Sequence, residues 1–147
     1  MLVRLPPRRH IIASRTPWTS PQQKLKLQLA DWRRIPTIHK YEEVIDHLVP
    51  DPVETIESFP CVIPNWDNTP RSGANGMVLH GSTPELFRTH LRKALLRTAA
   101  APAGRRLVFI KSWNEWAEGN YLEPDLRYGR GYLQAIREEL ELAKSPT

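Results

Sequence analysis

A short apolar run, Leu107–Ile110, is followed at once by a segment of very different composition. The apolar run predicts a buried β-strand. The next segment, Trp113–Asp125, contains two tryptophans, a tyrosine and four carboxylates within thirteen residues. A hydrophobic core does not call for that mixture. A sugar site does, because aromatic rings stack on the apolar faces of pyranoses and carboxylates do acid–base chemistry. The chain is therefore predicted to fold around a strand that carries a site at its carboxyl end.

Glu115 and Glu118 are the candidate catalytic residues of this segment. Making or cleaving a glycosidic bond needs a proton donor at the bridging oxygen. It also needs a second carboxylate that acts as base, nucleophile or stabiliser of positive charge. Their spacing of three residues places both on one face if Trp116–Gly119 forms a helical turn. The alternative is a solvated acidic loop, which the neighbouring tryptophans disfavour, since exposed tryptophan usually has a function.

Strand-like and helix-like patterns alternate along the rest of the chain, which favours a parallel α/β arrangement. Expected strands are Lys24–Ala30, Phe59–Trp66 and Leu107–Ile110, and the alternative for Lys24–Ala30 is a short helix. Expected helices are Ile35–Leu48, Thr83–Thr98 and Gly131–Ala143. Ser72–Gly81 is expected to be a loop that contains glycine. Cys61 is expected to be buried. A solvated basic face is expected for Arg88, Arg92, Lys93 and Arg97.

A second polar cluster follows the expected strand Phe59–Trp66, and in a parallel sheet it emerges at the same end as the first. Here Trp66 is expected to stack on a sugar, and Asp67 and Asn68 to hydrogen-bond its hydroxyls. The alternative for Asp67 and Asn68 is an ordinary turn with a capping role. The candidate substrate-binding residues of both clusters are Trp66, Asp67, Asn68, Arg71, Trp113, Asn114, Trp116, Tyr121 and Glu123.

Three blocks of the chain resemble the WbsX-type glycosyltransferase family, which is also described as glycoside hydrolase family 99-like. These blocks are Trp66–Arg71, Gly81–Phe87 and Trp113–Asp125, and the last is followed by a fitting Tyr128–Leu133. Their order and spacing fit the family, and the resemblance extends over roughly Ile35–Ala143.

The resemblance implies a (β/α)8 barrel that acts on glycans, often in the synthesis of cell-surface polysaccharide such as lipopolysaccharide O-antigen. In the related family 99 endo-mannosidases, an Asn-Glu-Trp-x-Glu element carries both catalytic carboxylates. By this resemblance Glu115 is the base-like residue that assists at the sugar 2-hydroxyl, and Glu118 is the general acid. Ala117 stands where those hydrolases typically have histidine, so the choice between transfer and hydrolysis is left open.

The chain has 147 residues, whereas a complete (β/α)8 barrel needs about 250. The resemblance therefore implies the C-terminal part of a barrel, roughly three β/α units, within residues 35–147. Three explanations stay open: a fragment of a larger product, a truncated relic, or a domain completed by a second chain. Self-association is a further way to cover the open sheet edges that such a piece would have.

Residues 1–34 are expected to be a basic, proline-rich and poorly ordered arm. They hold eight of the 21 basic side chains and one of the 16 acidic ones, in a chain whose net charge is +5. A nucleic-acid partner is the alternative reading of that charge, but no nucleic-acid motif accompanies it, so none is expected. The remainder is nearly neutral, which suits an uncharged oligosaccharide or polysaccharide substrate.

Several other classes of protein are not supported. A single cysteine permits no internal disulfide, and no phosphate loop, dinucleotide fingerprint or metal-ligand spacing occurs, so neither cofactor nor metal is expected. Apolar runs are too short for a membrane span, and no secretory signal is visible, so a cytoplasmic location is expected. The sequence predicts a carbohydrate-active protein that makes or cleaves glycosidic bonds. The alternative is a catalytically incomplete remnant that at most binds saccharide.

Overall fold

The computed structural model describes Gln22, residues 35–49 and residues 58–144. The chain divides into two compact units, Met1–Ile35 and Pro36–Thr147, and all elements named below belong to the second. The predicted strand Lys24–Ala30 lies outside the described residues. So does the predicted arm, apart from Gln22, and its disorder stays a prediction.

The described residues form a mixed α/β structure with four helices and seven short strands. The helices are α1 (Tyr41–Leu48), α2 (Thr69–Ser72), α3 (Pro84–Ala99) and α4 (Gly131–Lys144). The strands are β1 (Thr37–Lys40), β2 (Cys61–Val62), β3 (Trp66–Asp67), β4 (Met77–His80), β5 (Phe109–Ile110), β6 (Asn114–Glu115) and β7 (Asn120–Tyr121).

The strands β2 and β5 pair in parallel, with Cys61 opposite Phe109 and Val62 opposite Ile110. Helix α3 lies between them in the chain, after β3, α2 and β4, and α4 follows β5 after the hairpin of β6 and β7. Two parallel strands leave their sheet at the same end. The segments that follow β2 and β5 therefore start side by side, as the sequence predicted.

The other two sheets contain antiparallel pairs, which the sequence did not predict. One has the order β1-β4-β3, in which β1 is parallel and β3 antiparallel to β4, and the other is the antiparallel hairpin β6–β7. The α/β class is therefore confirmed in its coarser form, as a mixed fold. The eight-stranded barrel, of which this would be about three units, stays a prediction.

Two local predictions were wrong in the same way. The expected helix Ile35–Leu48 begins only at Tyr41, because Thr37–Lys40 is a strand. The expected loop Ser72–Gly81 contains the strand β4. These two segments pair with each other, Ile38 opposite Val78, and such long-range pairing overrides the local sequence pattern.

Helix α3 forms as its sequence predicts. The Thr83 hydroxyl oxygen accepts a hydrogen bond from the Leu86 backbone N–H at 3.3 Å and so caps the first turn. Pro84 is the first residue of the helix, where a backbone N–H would have no partner within the helix, so its missing N–H costs nothing. The apolar stripe of α3 packs against α4 and the β2–β5 ladder. The buried cluster comprises Val62, Phe87, Leu91, Ala94, Leu122, Tyr132 and Ala135.

Two further expectations are corrected. Arg88 and Arg92 do not form a purely solvated face, because both donate hydrogen bonds to Glu139 of α4, whose side chain is buried. Cys61 is exposed, since its neighbour Val62 faces the core and alternate residues of a strand face opposite sides. No helix in the described ranges is both long and apolar enough to cross a bilayer.

Candidate functional site

The two candidate glutamates lie on one small hairpin. Strands β6 and β7 pair with Asn114 opposite Tyr121 and Glu115 opposite Asn120. Between them the chain makes a single 3-10 turn, Trp116–Glu118, and then Gly119 adopts the left-handed conformation with φ of 54°. Glu115 therefore ends one strand and Glu118 ends the turn. The helical turn expected over Trp116–Gly119 is limited to Trp116–Glu118, and a shared face for the two carboxylates stays a prediction.

Ser112 and Asn120 fasten this hairpin to the end of β5. The Ser112 backbone N–H donates to Asn120 Oδ1 at 3.0 Å, and the Ser112 hydroxyl donates to the Asn120 backbone oxygen at 2.8 Å. The Glu115 backbone N–H donates to Ser112 Oγ at 3.2 Å. Asn120 is fully buried, so these bonds are shielded from water. The hairpin is thus held at a defined position beside the strand end.

The structure brings the second polar cluster against this hairpin. A Cβ atom added to Gly119 would lie 3.1 Å from Asp67 N and 3.1 Å from Asp67 Cβ. The Tyr121 backbone N–H donates to Asn65 Oδ1 at 3.0 Å. The segments that follow β2 and β5 therefore touch, although they are about fifty residues apart in sequence.

Glu118 lies where the two segments meet and is 8 % exposed. Its Oε1 atom is ion-paired with Arg71 of α2, and its Oε2 atom lies 3.2 Å from Lys111 Nζ. Lys111 Nζ also lies over the ring of Trp66, 4.2 Å from the ring centroid. A buried carboxylate with two cationic partners is stabilised in its charged form.

Glu115 is half-buried, and its environment differs from that of Glu118. Within the described ranges its carboxylate has no hydrogen-bond or ion-pair partner. The two carboxylates of the expected pair are thus not equivalent, which is the condition under which one serves as acid and the other as base.

The aromatic residues of the hairpin are partly accessible. Trp113 is 53 % exposed, and Trp116 is about half exposed. Trp116 stacks on Tyr121, with ring centroids 3.7 Å apart, and its indole N–H donates to Glu123 Oε2 at 2.6 Å. Burial, together with the nearby Asp125 carboxylate, raises the pKa of Tyr121. Trp116 is therefore fixed by its contacts with Tyr121 and Glu123. Trp113 is the more accessible of the two tryptophans.

The polar groups of Asp67 and Asn68 are used within their own turn. Asp67 Oδ1 accepts from the Thr69 backbone N–H at 2.9 Å and from its hydroxyl at 2.6 Å. Asn68 Oδ1 accepts from the Met77 backbone N–H at 2.7 Å. These hydrogen bonds are the ones expected if Asp67 and Asn68 form an ordinary turn. Their binding of sugar hydroxyls stays a prediction, and so does that of the exposed Asn114.

A cavity of about 300 Å³ opens beside the junction of the two segments. Its volume is at the lower end of the range for small-molecule sites. Its lining includes Trp66, Asp67, Gly119 and Tyr121, together with Tyr128 and Tyr132. Nowhere in residues 35–49 and 58–144 do three or more His, Cys, Asp or Glu side chains gather as metal ligands.

Lys111 is the residue of this site that the sequence analysis missed. It directly follows the strand β5, and its backbone N–H donates to Val62 O at 2.9 Å as the last bond of the β2–β5 ladder. A basic residue directly after the apolar run Leu107–Ile110, next to a run of carboxylates, was the available signal. Its contact with Trp66 joins residues that are 45 positions apart in the chain, and no local pattern reveals it.

Comparison with known proteins decides the family. The model of the family described as Glycosyltransferase WbsX matches residues 3–136. The chain belongs to the WbsX glycosyltransferase family. The match to WbsX begins near the start of the chain, upstream of the resemblance expected from the sequence, which began at Ile35. It therefore includes most of the basic arm.

Two related proteins are both described as "Uncharacterized protein WxcX" and come from Xanthomonas campestris pv. campestris. The WbsX-family chain is 37 % identical to the protein of strain B100 over 107 residues, which is 72 % of this chain and 15 % of the relative. It is 42 % identical to that of strain ATCC 33913 over 93 residues, 63 % of this chain and 13 % of the relative. The chain thus matches about one seventh of the length of these relatives. No solved structure matches it.

Proposed function

We propose that this chain carries part of the site of a carbohydrate-active enzyme that makes or cleaves glycosidic bonds in cell-surface polysaccharide. Membership of the WbsX family supports the carbohydrate class and its place in polysaccharide biosynthesis. One observation carries the finer proposal. The buried Glu118 lies between cations from two strand-end segments, and its hairpin also bears Glu115 and the half-exposed Trp113.

In this proposal the two glutamates share the proton transfers of the reaction. Glu118 exchanges a proton with the bridging oxygen, and Glu115 stabilises or activates the neighbouring group. The exposed ring of Trp113 shapes a sugar subsite, and the cavity beside Trp66 takes a further sugar unit. A preformed carboxylate site with flanking rings suits this chemistry, since orientation supplies much of the rate.

The test is binding and turnover of a panel of mannose-, rhamnose- and fucose-containing oligosaccharides by the purified chain, followed by tryptophan fluorescence and product analysis. Saturable binding is expected, with product from the parent chain and none from Glu118→Gln. Glu141→Gln is the matched control, because Glu141 lies on the exposed side of α4, where Arg137 donates to it at 2.8 Å. Equal amounts of product from Glu118→Gln and Glu141→Gln would contradict the proposal.

The second candidate is a protein that binds saccharide without catalysis. Leu107 and Phe109 are about half exposed next to the β2–β5 ladder, which has two strands in the described part of the chain. An open ladder beside apolar surface favours a covering partner, either a second chain or another copy. Binding of saccharide without turnover, both by the isolated chain and by its associated form, would favour this candidate. A sharp two-state unfolding transition of the monomer would count against it.

A further inference from the structure

Lys111 makes three contacts of different kinds around Glu118. Its backbone N–H bonds to Val62 O at 2.9 Å, which ties its position to the β2–β5 ladder. Its ammonium group lies 3.2 Å from Glu118 Oε2 and 4.2 Å from the centroid of the Trp66 ring. An ammonium group over an indole face is itself a favourable pairing. One side chain therefore joins the carboxylate of the hairpin to the aromatic ring of the other segment.

The titratable side chains of the elements around the Glu118 turn are Arg71 of α2, Lys111 after β5, Asp67 of β3, Glu115 of β6 and Tyr121 of β7, whose phenol is neutral. The Asp67 carboxylate is occupied by two hydrogen bonds from Thr69. The two cations contact Glu118 directly, so the immediate field favours its ionised form.

The two cations are not equivalent. The side chain of Arg71 is 62 % exposed and that of Lys111 is 43 % exposed. Water and salt screen an exposed pair more strongly than a partly buried one. Lys111 is also held at its root by the sheet and at its tip by the Trp66 ring, whereas Arg71 projects from the four-residue helix α2. Lys111 is therefore the more constant partner of the carboxylate.

We propose that Lys111 is a positioning residue that holds Glu118 in its ionised form, so that Glu118 enters the reaction as a proton acceptor. The chemical meaning of this inference rests on the proposed function. The acceptor sugar hydroxyl gives its proton to Glu118 while its oxygen bonds to the anomeric carbon of an activated glycosyl donor. The donor's leaving group departs with the electron pair of the broken bond. The general-acid role that the family resemblance implies for Glu118 would first require the loss of these ion pairs.

The test is a carboxylate titration of the full chain labelled with carbon-13 glutamate and observed by NMR. The Glu118 signal is assigned by its absence in Glu118→Gln. The titration midpoint of Glu118 is expected to move to higher pH in Lys111→Met and to return toward the parent value in Lys111→Arg, which restores the charge. Lys93→Met is the matched control, because it removes the same charge from a lysine that pairs with Asp46 instead.

An unchanged midpoint in Lys111→Met, or an equal rise in Lys93→Met, would overturn the proposal. A second measurement repeats the titrations at high salt, which screens the more exposed Arg71 pair more strongly than the Lys111 pair. The difference in midpoint between the parent chain and Lys111→Met is expected to persist at high salt, and its disappearance would count against Lys111. Because neither titration uses a saccharide, a chain that binds no glycan would contradict the proposed function and leave this result intact.

Discussion

Gly119 lies against Asp67 so closely that a Cβ atom at position 119 would stand 3.1 Å from the Asp67 backbone nitrogen. Gly119 also has a φ of 54°, in the left-handed region that favours glycine. This contact joins the turn that carries Glu118 to the strand that carries Trp66. The spacing between the two polar clusters therefore depends on the absence of a side chain at residue 119.

Gly119→Ala is expected to destabilise the fold through two separate effects. The left-handed backbone costs a residue with a Cβ atom about 1–2 kcal/mol, and the contact with Asp67 adds a displacement of β3. Urea unfolding of parent and variant measures the sum. Gly129→Ala is the matched control, because Gly129 has the same φ of 54° and open space around it. Equal losses of unfolding free energy in the two variants would show that the close contact with Asp67 adds no cost.

Glu139 is the buried charge that links α3 to α4. It is 2 % exposed and accepts hydrogen bonds from Arg88 at 2.6 Å and from Arg92 at 2.6 and 2.8 Å. Glu139→Gln keeps the shape but removes the charge, and is expected to cost about 2 kcal/mol of unfolding free energy. Glu141→Gln, on the exposed side of the same helix, is expected to cost far less. Similar losses for the two variants, measured by urea unfolding, would contradict this account.

The same cluster predicts a loss of stability in acid. The Arg92 guanidinium, with that of Arg88, holds the pKa of Glu139 below its usual value of 4.5. A lowered carboxyl pKa contributes stability above the ordinary value and loses it as the pH falls through the folded-state value. Urea unfolding from pH 5 downward is expected to show this loss in the parent chain and a flatter profile in Glu139→Gln. If stability falls equally with pH in the parent chain and in Glu139→Gln, groups other than Glu139 cause the acid sensitivity.

The buried His90 predicts a second loss of stability on acidification, which begins at a higher pH than the loss caused by Glu139. His90 is fully buried, and its Nδ1 atom lies 3.2 Å from the Tyr41 hydroxyl. Among the described residues its Nε2 atom has no hydrogen-bond partner. Burial lowers the pKa of His90 from 6.5 to about 4. The unfolded chain therefore binds a proton first, and stability falls by about 1.4 kcal/mol per pH unit as the pH drops from 6.5 toward 4. His90→Gln is expected to remove this slope, and an NMR titration of His90 near pH 6.5 would refute it.

Much of the fold could be predicted because its signals are local. The cap at Thr83, the proline at the first turn and the apolar spacing of Phe87 and Leu91 define α3 without reference to any other element. The strand ends after β2 and β5 meet because parallel neighbours end on the same side. These features need only short-range pattern and one rule of sheet geometry.

What could not be predicted depends on partners far away in the chain. Strand β1 exists because β4 pairs with it, and no periodicity within Thr37–Lys40 reveals that pairing. Arg88 reads as a solvated residue until Glu139, 51 residues later, is buried beside it. Lys111 is similar, since its value to the site comes from Trp66 and Glu118 together. Ion pairs between different elements cannot be predicted from local sequence patterns, because each partner alone resembles an ordinary solvated charge.

Trp113 offers the most direct test of the sugar-binding proposal. Trp113 is 53 % exposed, so Trp113→Ala is expected to lower the free energy of unfolding only by the apolar surface that the residue buries. If the ring stacks on a sugar, the lost contact is worth about 1.4 kcal/mol, and saccharide affinity falls about tenfold. Leu142→Ala, at a similarly exposed apolar residue on α4, is the control for loss of surface area. Titration calorimetry with the best oligosaccharide of the panel measures both variants, and an unchanged affinity in Trp113→Ala would remove this ring from the site.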